Sequence, residues 1–388
     1  MFSSRLNWDL RPNRISALLD ARRRGGARIL DLTESNPTHA GLAYPSAEIL
    51  AALGDARSLR YEPSPTGVAE ARGAVSAYYA ARGASVAPDR IVLTASTSEA
   101  YGYVFKLLAD PGDEVLVPRP SYPLFEFLAR LESVRAVDYP LAYDGSWRID
   151  FAALEGALTP RTRAIVVVNP NNPTGSFLKT GELDRLVSLA AARGFAIVSD
   201  EVFSDYAFAP DAERVTTLAG VSGALAFSLS GLSKIAGLPQ MKLGWIVTSG
   251  PEELRAAALA RLELIADTYL SASAPAQYGA ARLMEAGARV REQISARTRQ
   301  NLEWVRDAVA GSALSVLAVE GGWYATLEVP RTRSEEEWAL ELLDLDGVLV
   351  QPGFFFDFET EAFLVVSLLT PPDVFREGVG RVLGRAGE

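Results

Sequence analysis

Two lysines, Lys234 and Lys242, stand eight residues apart in "SLSGLSKIAGLPQMKLGW", a stretch otherwise free of charge. A lysine among small and apolar neighbours loses hydration, which lowers its pKa and makes the neutral amine available. Such an amine forms Schiff bases with carbonyls. Other residues with chemistry to offer each follow a short apolar run. Ser96, Thr97 and Ser98 follow "RIVLT"; small hydroxyl residues at a helix start leave N–H groups free at the positive end of the helix dipole, a cup for an anion. Tyr122 follows "EVLVP" in "RPSYPLFEF", between small residues and a proline, where a ring can lie flat on a planar ligand. "NPNNPTG" follows "AIVVV" and includes Asn172, whose amide both donates and accepts. Asp200, then Glu201, follow "FAIVS", and a carboxylate ending a buried run is costly unless it meets a cation.

Each of these has a plain structural reading on its own: a Ser/Thr helix cap, a core ring, a turn, an ion pair, a lysine extending to solvent. Together they make an anion cup, a stacking ring, an amide, a carboxylate for a protonated ring nitrogen and an activated amine. Pyridoxal phosphate requires that set: its phosphate held, its ring sandwiched, its nitrogen kept protonated and its aldehyde joined to an amine.

The elements that must position these residues alternate between about 45 and 285. Val- and Ile-rich runs are separated by helical stretches such as "EAYGYVFKLLA" and "GELDRLVSLAAARG". Continuous apolar runs suit strands buried on both faces, and their alternation with helices predicts an α/β fold with a mainly parallel, doubly wound sheet. Ligands of such sheets bind beyond the carboxyl ends of the strands. From about 286 the pattern changes to a long helix, "GWYATLEVP", a second helix, the strands "GVLVQPG" and "FLVVSLL", and a last helix. This predicts a smaller α+β domain of residues 1–44 plus 286–388 beside a large domain of residues 45–285. The amphipathic "RISALLDARRRG" is expected to pack with the smaller one.

With these motifs in order, the chain resembles the aminotransferases of the aspartate aminotransferase superfamily, the fold-type I enzymes that use pyridoxal 5'-phosphate. The resemblance implies a seven-stranded-type sheet and covers nearly the whole length. By position Lys234 matches the Schiff-base lysine that also moves the proton, and Asp200 the partner of the pyridine nitrogen. Asn172 matches the donor to the phenolic oxygen and Tyr122 the stacking ring. Ser96, Thr97 and Ser98 match the phosphate cup, with Ser233 and Lys242 as further phosphate contacts. Lysine stands at 242 where most relatives have arginine. Tyr61 in "LRYEPSPTG" matches a tyrosine that reaches the neighbouring subunit's phosphate, which implies a homodimer. An amino acid and a 2-oxo acid would be the substrates; a lyase or decarboxylase on the same fold and a non-catalytic sensor are the alternatives.

Three departures concern the edge of this site. Phe203 stands where relatives place a tyrosine that donates to the phenolic oxygen, with Tyr206 nearby as a substitute donor. No arginine occurs between Arg333 and Arg376, so the usual carboxylate-binding position, near Val365, is without its cation. Ser35 and Asn36 in "TESNPT", through their backbone amides, and the Asn172 side chain are the remaining candidates for substrate contact. "GLSK" puts Gly231 where a phosphate-binding hydroxyl is usual, with Ser230 one residue off. Phe203, Tyr269, Trp323 and "GFFFDF" suggest an aromatic cleft suited to neutral amino acids.

Composition narrows the field further. The 388 residues are 48% hydrophobic and 22% charged, ordinary for a globular protein of more than one domain. A net charge of −10 argues against a phosphate-gripping nucleic-acid binder. The absence of cysteine removes thiolate chemistry, and a single histidine, His39, removes a His-cluster metal site. No run approaches the roughly 20 apolar residues of a membrane span, and the N-terminus lacks the apolar core of a secretory signal. These features predict a cytoplasmic protein with no membrane or nucleic-acid partner.

Overall fold

The computed structural model describes residues 1–387. Its largest sheet has eight strands, in the order Ile91–Thr94, Gly244–Ser249, Ala226–Gly231, Ala196–Asp200, Thr162–Val168, Glu114–Arg119, Arg135–Tyr143 and Trp147–Ile149. The pairings from Ala226–Gly231 across to Arg135–Tyr143 are all parallel. Gly244–Ser249 runs antiparallel to both neighbours. Trp147–Ile149 folds back antiparallel on the strand before it, and this short hairpin is the addition to the seven strands expected.

Every residue of the four strands from Ile91–Thr94 to Ala196–Asp200 in that order is buried. Helices cover both faces, which is why these segments show no polar alternation. Tyr101, Val104 and Phe105 of the Thr97–Leu108 helix pack on one face with Leu262 of the Glu252–Tyr269 helix. Leu154 of Phe151–Ala157 and Leu186 and Ala190 of Thr180–Arg193 pack on the other. Each fully buried leucine contributes about 1.5–3 kcal/mol relative to an exposed one.

A second, antiparallel sheet has the order Ser315–Val316, Tyr324–Glu328, Phe363–Ser367, Gln351–Pro352. Ile15 of the Arg14–Arg24 helix, Trp338 and Leu342 of Glu335–Leu345, and Phe375 and Val379 of Pro372–Ala386 share one core with it. The change of pattern near 286 is not a break in the backbone. One helix of 36 residues, Ala274–Val309, runs straight through it. Gly279 and Gly287 let this helix approach Ala52 and Ala236 so closely that a Cβ at either place would strike backbone. Among the described residues no helix is long and apolar enough to cross a membrane.

Candidate active site

Strand register brings the singled-out residues to one edge. Val168 lies opposite Asp200, and Asp200 opposite Leu229. The loops carrying Asn172 and Lys234 therefore leave the sheet beside Asp200. Gly231 and Thr94 both pair with Gly244, one on each side of it. A cavity of about 150 Å³ opens there, lined by Ser35, Ser96, Thr97, Ser98, Tyr122, Asn172, Asp200, Phe203, Gly231, Ser233, Lys234 and Gly244, and also by Tyr101 and Tyr324. A larger groove of about 680 Å³ lies beside Arg130 and Arg135. Those arginines are already engaged, Arg130 with the Ser4 and Asn7 carbonyls and Arg135 with Glu114.

Asp200 is buried at its strand end, and burial pushes its carboxyl up to about 6. The Val202 N–H at 3.1 Å, the Tyr101 hydroxyl at 3.1 Å and the Lys234 charge oppose that rise. Burial pulls the Lys234 amine down to about 8, with the Asp200 charge opposing. The two groups are thus displaced toward each other, which is the pattern of an acid–base pair. Lys234 Nζ lies 4.7 Å from the centre of the Trp323 ring and 5.5 Å from that of Phe203.

The asparagines of "NPNNPTG" divide by role. Asn169 donates to the Val215 carbonyl and accepts from the Leu178 N–H, both within the fold. Asn171 donates to the Pro120 carbonyl and Thr174 and accepts from Ser121. Asn172 faces the cavity, and its buried Oδ1 has no hydrogen-bond partner. The Ser121 bonds to Asn171 and to the Phe356 carbonyl (2.9 Å) fix the loop that holds Tyr122, 41% exposed, at the rim.

Ser96 is the cap of the Thr97–Leu108 helix, its hydroxyl accepting from the Glu99 N–H at 3.2 Å. That hydroxyl still has its own proton to donate, so what the cup offers is the first-turn N–H groups and the Ser96, Thr97, Ser98 and Ser233 side chains. Gly231 has a steric reason: a Cβ there would come within 2.9 Å of the Leu243 oxygen and Gly244 Cα. The Ser230 hydroxyl is buried without a partner and does not line the cavity.

Several expected residues lie elsewhere. Lys242 does not line the cavity; a left-handed backbone (φ 49°) ends its short helix and its side chain is exposed. Asn36 does not line it either. Its N–H is bound by Glu34 at 2.7 Å and its side chain by Thr38, so its backbone amide is not free for substrate. Tyr61 is 84% exposed, beside Pro63 and Leu270 and away from this chain's cavity. Tyr206 is not a substitute donor into the cavity, because its hydroxyl bonds the Lys234 carbonyl at 2.5 Å. Val365 is fully buried between Thr326 and Gln351, where an arginine would meet packed apolar groups. Tyr269 sits half-exposed against Tyr103, outside the cavity. Phe356 and Phe358 are core, leaving Phe203 as the ring of that expected set that lines the cavity.

Tyr101 and Tyr324 were missed by the sequence. Tyr101 falls four residues into the helix after Thr97, so the inward face that carries Ala100 and Val104 also carries a hydroxyl to Asp200. The spacing Thr97 to Tyr101, one helical turn, is a usable signal once the helix start is taken as a ligand cup.

The sequence pattern of the family "Aminotransferase class I and II" matches residues 27–381. The chain is 31% identical over 254 residues to the glutamate-pyruvate aminotransferase AlaA of Escherichia coli K12, covering 65% of this chain and 62% of that protein. It is 29% identical over 353 residues to an alanine aminotransferase of Mycobacterium tuberculosis H37Rv, covering 84% and 78%. Among solved structures, an alanine aminotransferase from Pyrococcus furiosus superposes with a TM-score of 0.89 over 100% of both chains at 22% identity, a likeness of fold.

Proposed function

The chain belongs to the aminotransferase class I and II family, and from that premise we propose that it is a pyridoxal-phosphate-dependent aminotransferase passing the amino group of a neutral L-amino acid to a 2-oxo acid, with Lys234 as the Schiff-base lysine. The observation that carries this reading is the meeting of Lys234, Asp200 and Asn172, whose Oδ1 is unpartnered, at one cavity on the strand ends.

The residues fit the cofactor. The start of the Thr97–Leu108 helix, with Thr97, Ser98 and Ser233, would hold its phosphate, and Tyr122 would lie on its ring. Asn172, facing the cavity, would donate from its Nδ2 to the phenolic oxygen. Asp200, oriented by Tyr101 and the Val202 N–H, would keep a proton on the ring nitrogen. Once bound, the cofactor supplies the electron sink for the bond broken at the substrate carbon. The Lys234 amine, poised near the operating pH, would take up that carbon's proton and give it back at the carbon on the other side of the transferred nitrogen. Lys242 adds charge from outside the cavity, and Tyr61, exposed in a single chain, reaches the second site of a homodimer.

The substrate end supports a neutral side chain, since Phe203 and Tyr324 line it and Val365 packs behind them. Ser35 and the Asn172 amide are the polar contacts assigned to the substrate. Both named relatives bear alanine or pyruvate in their names, so we take alanine and pyruvate as the first pair to test. We assign residues 45–285 to the cofactor unit and 1–44 plus 286–388 to the smaller unit of a cytoplasmic enzyme. The test is stoichiometry. L-alanine with 2-oxoglutarate should yield pyruvate and glutamate one for one; no transfer from any neutral amino acid, with pyruvate and free ammonia released instead from a β-substituted amino acid such as L-serine in the absence of an oxo acid, would contradict the reading.

A further inference from the structure

Three rings gather at Lys234, of which the reaction above gives a part only to Phe203, at the substrate end. Lys234 Nζ stands 4.7 Å from the Trp323 ring centre and 5.5 Å from that of Phe203. The Tyr206 hydroxyl donates to the carbonyl of the same lysine at 2.5 Å. Trp323 meets Phe203 and Tyr206 edge to face, both at 5.2 Å. One cluster therefore grips both the tip of the side chain and the backbone from which it springs.

The cluster is rigidly built. The Phe208 N–H bonds the Glu320 carbonyl at 2.9 Å, and the Gly322 N–H bonds the Tyr206 carbonyl at 2.9 Å. The Leu368 N–H bonds the Trp323 carbonyl at 2.7 Å. Trp323 itself has no exposed surface. The indole face is the strongest cation-binding ring among side chains, and the attraction grows when the cation is desolvated. A tyrosine at 203 would bring a hydroxyl to this surface; phenylalanine leaves it all ring.

We propose that Phe203, Tyr206 and Trp323 are positioning residues that form an aromatic seat for the free amine of Lys234, filled whenever the lysine is not joined to the cofactor. This rests on the reading of Lys234 as the Schiff-base lysine. The lysine must leave and return within each turnover, and its four-carbon stem has many rotamers. The seat holds the released amine beside the cavity it must re-enter, and holds it most tightly once it has taken up the substrate's proton, while Tyr206 fixes the swing point. The charged and titratable groups around it are few. Asp200 attracts the ammonium. Tyr101, Tyr122 and Tyr324 line the same cavity and Tyr206 lies against the backbone, and burial raises all four phenols, which stay protonated.

The test uses the cofactor-free protein. The pH dependence of Lys234 labelling by an amine reagent, read by peptide mass spectrometry, gives its pKa. Trp323→Leu removes the ring face that stabilises the ammonium, so that pKa should fall, by about one unit, with Trp323→Phe in between. Tyr206→Phe should leave it within a few tenths and lower kcat several-fold at unchanged KM. A Leu variant whose pKa stays at the wild-type value, or rises, overturns the seat. Should that variant not fold, the wild type decides. Its Lys234 ε-methylene protons should be shifted upfield by the rings, and unshifted protons overturn the proposal. Trapping the cofactor with borohydride and mapping the labelled peptide reports separately on Lys234 as the Schiff-base lysine, so the two failures are distinguishable.

Discussion

The two walls of the cavity are built differently. The cofactor wall consists of strand ends, with Asp200, Asn172 and Lys234 placed by parallel register and each polar atom bound or aimed into the cavity. The other wall joins Ser35 in the segment after Leu30–Asp31 with Phe203 and Tyr324, backed by the buried Trp323, and depends on contacts between segments more than a hundred residues apart. Its polar part is pinned indirectly, Glu34 through the Ser367 hydroxyl at 2.5 Å and the Ser367 N–H through the Leu32 carbonyl. On the proposed reading the cofactor wall would set the chemistry with fixed charges, and the substrate wall would set selectivity with shape and a few neutral groups.

Substitutions on the first wall should therefore cost far more activity than those on the second. Asp200→Asn would remove the group proposed to keep the ring nitrogen protonated, and turnover should drop by about 10²–10⁴-fold. The same change should stabilise the cofactor-free protein at pH 8. The folded-state carboxyl is raised to about 6, so above that pH the protein holds a buried charge that the unfolded chain holds in water. Below the usual carboxylate value both states are protonated and the effect vanishes. The gain should be about 1–3 kcal/mol at pH 8 and shrink as pH falls from 6 toward 4, read from denaturant midpoints. A variant less stable than wild type at pH 8 would show that Asp200 is a structural ion.

Asn172→Ala comes next. Losing one hydrogen bond to a charged oxygen should weaken cofactor binding by about 10–100-fold, measured by equilibrium titration of absorbance. Ser35→Ala should have the smallest effect, a rise in the KM for alanine of less than about tenfold with kcat unchanged, because it leaves the backbone amide in place and removes only a neutral hydroxyl from an exposed loop residue. A loss for Ser35→Ala as large as that for Asp200→Asn would erase the distinction between the walls.

The same distinction explains what could be read from sequence. A buried strand advertises itself by its apolar run, so whatever follows it is known to sit at the sheet's edge; Asp200, Asn172 and Lys234 were legible for that reason. Tyr101 was hidden because a tyrosine on an apolar helix face looks like core until its hydroxyl meets Asp200. Lys242 was placed by its match to the family's basic position, and that match does not reveal that a left-handed turn ends the short helix there and leaves the side chain exposed. Asn36 looked free because the carboxylate that binds its N–H, Glu34, lies two residues away in the same turn. Trp323 and Tyr206 were illegible as partners of Lys234 because their pairing is a tertiary event.

The central claim is that Lys234 carries an amino-group transfer, and a single half-reaction tests it most directly. Protein loaded with pyridoxal phosphate is mixed with one amino acid and no oxo acid, and the cofactor's absorbance is followed beside Lys234→Ala. The account predicts conversion to the amine form by alanine or another neutral amino acid in the wild type, slowed by about 10⁴-fold or more in the variant. Equal conversion by both proteins, or none by wild type with any amino acid although the cofactor is bound, would contradict it.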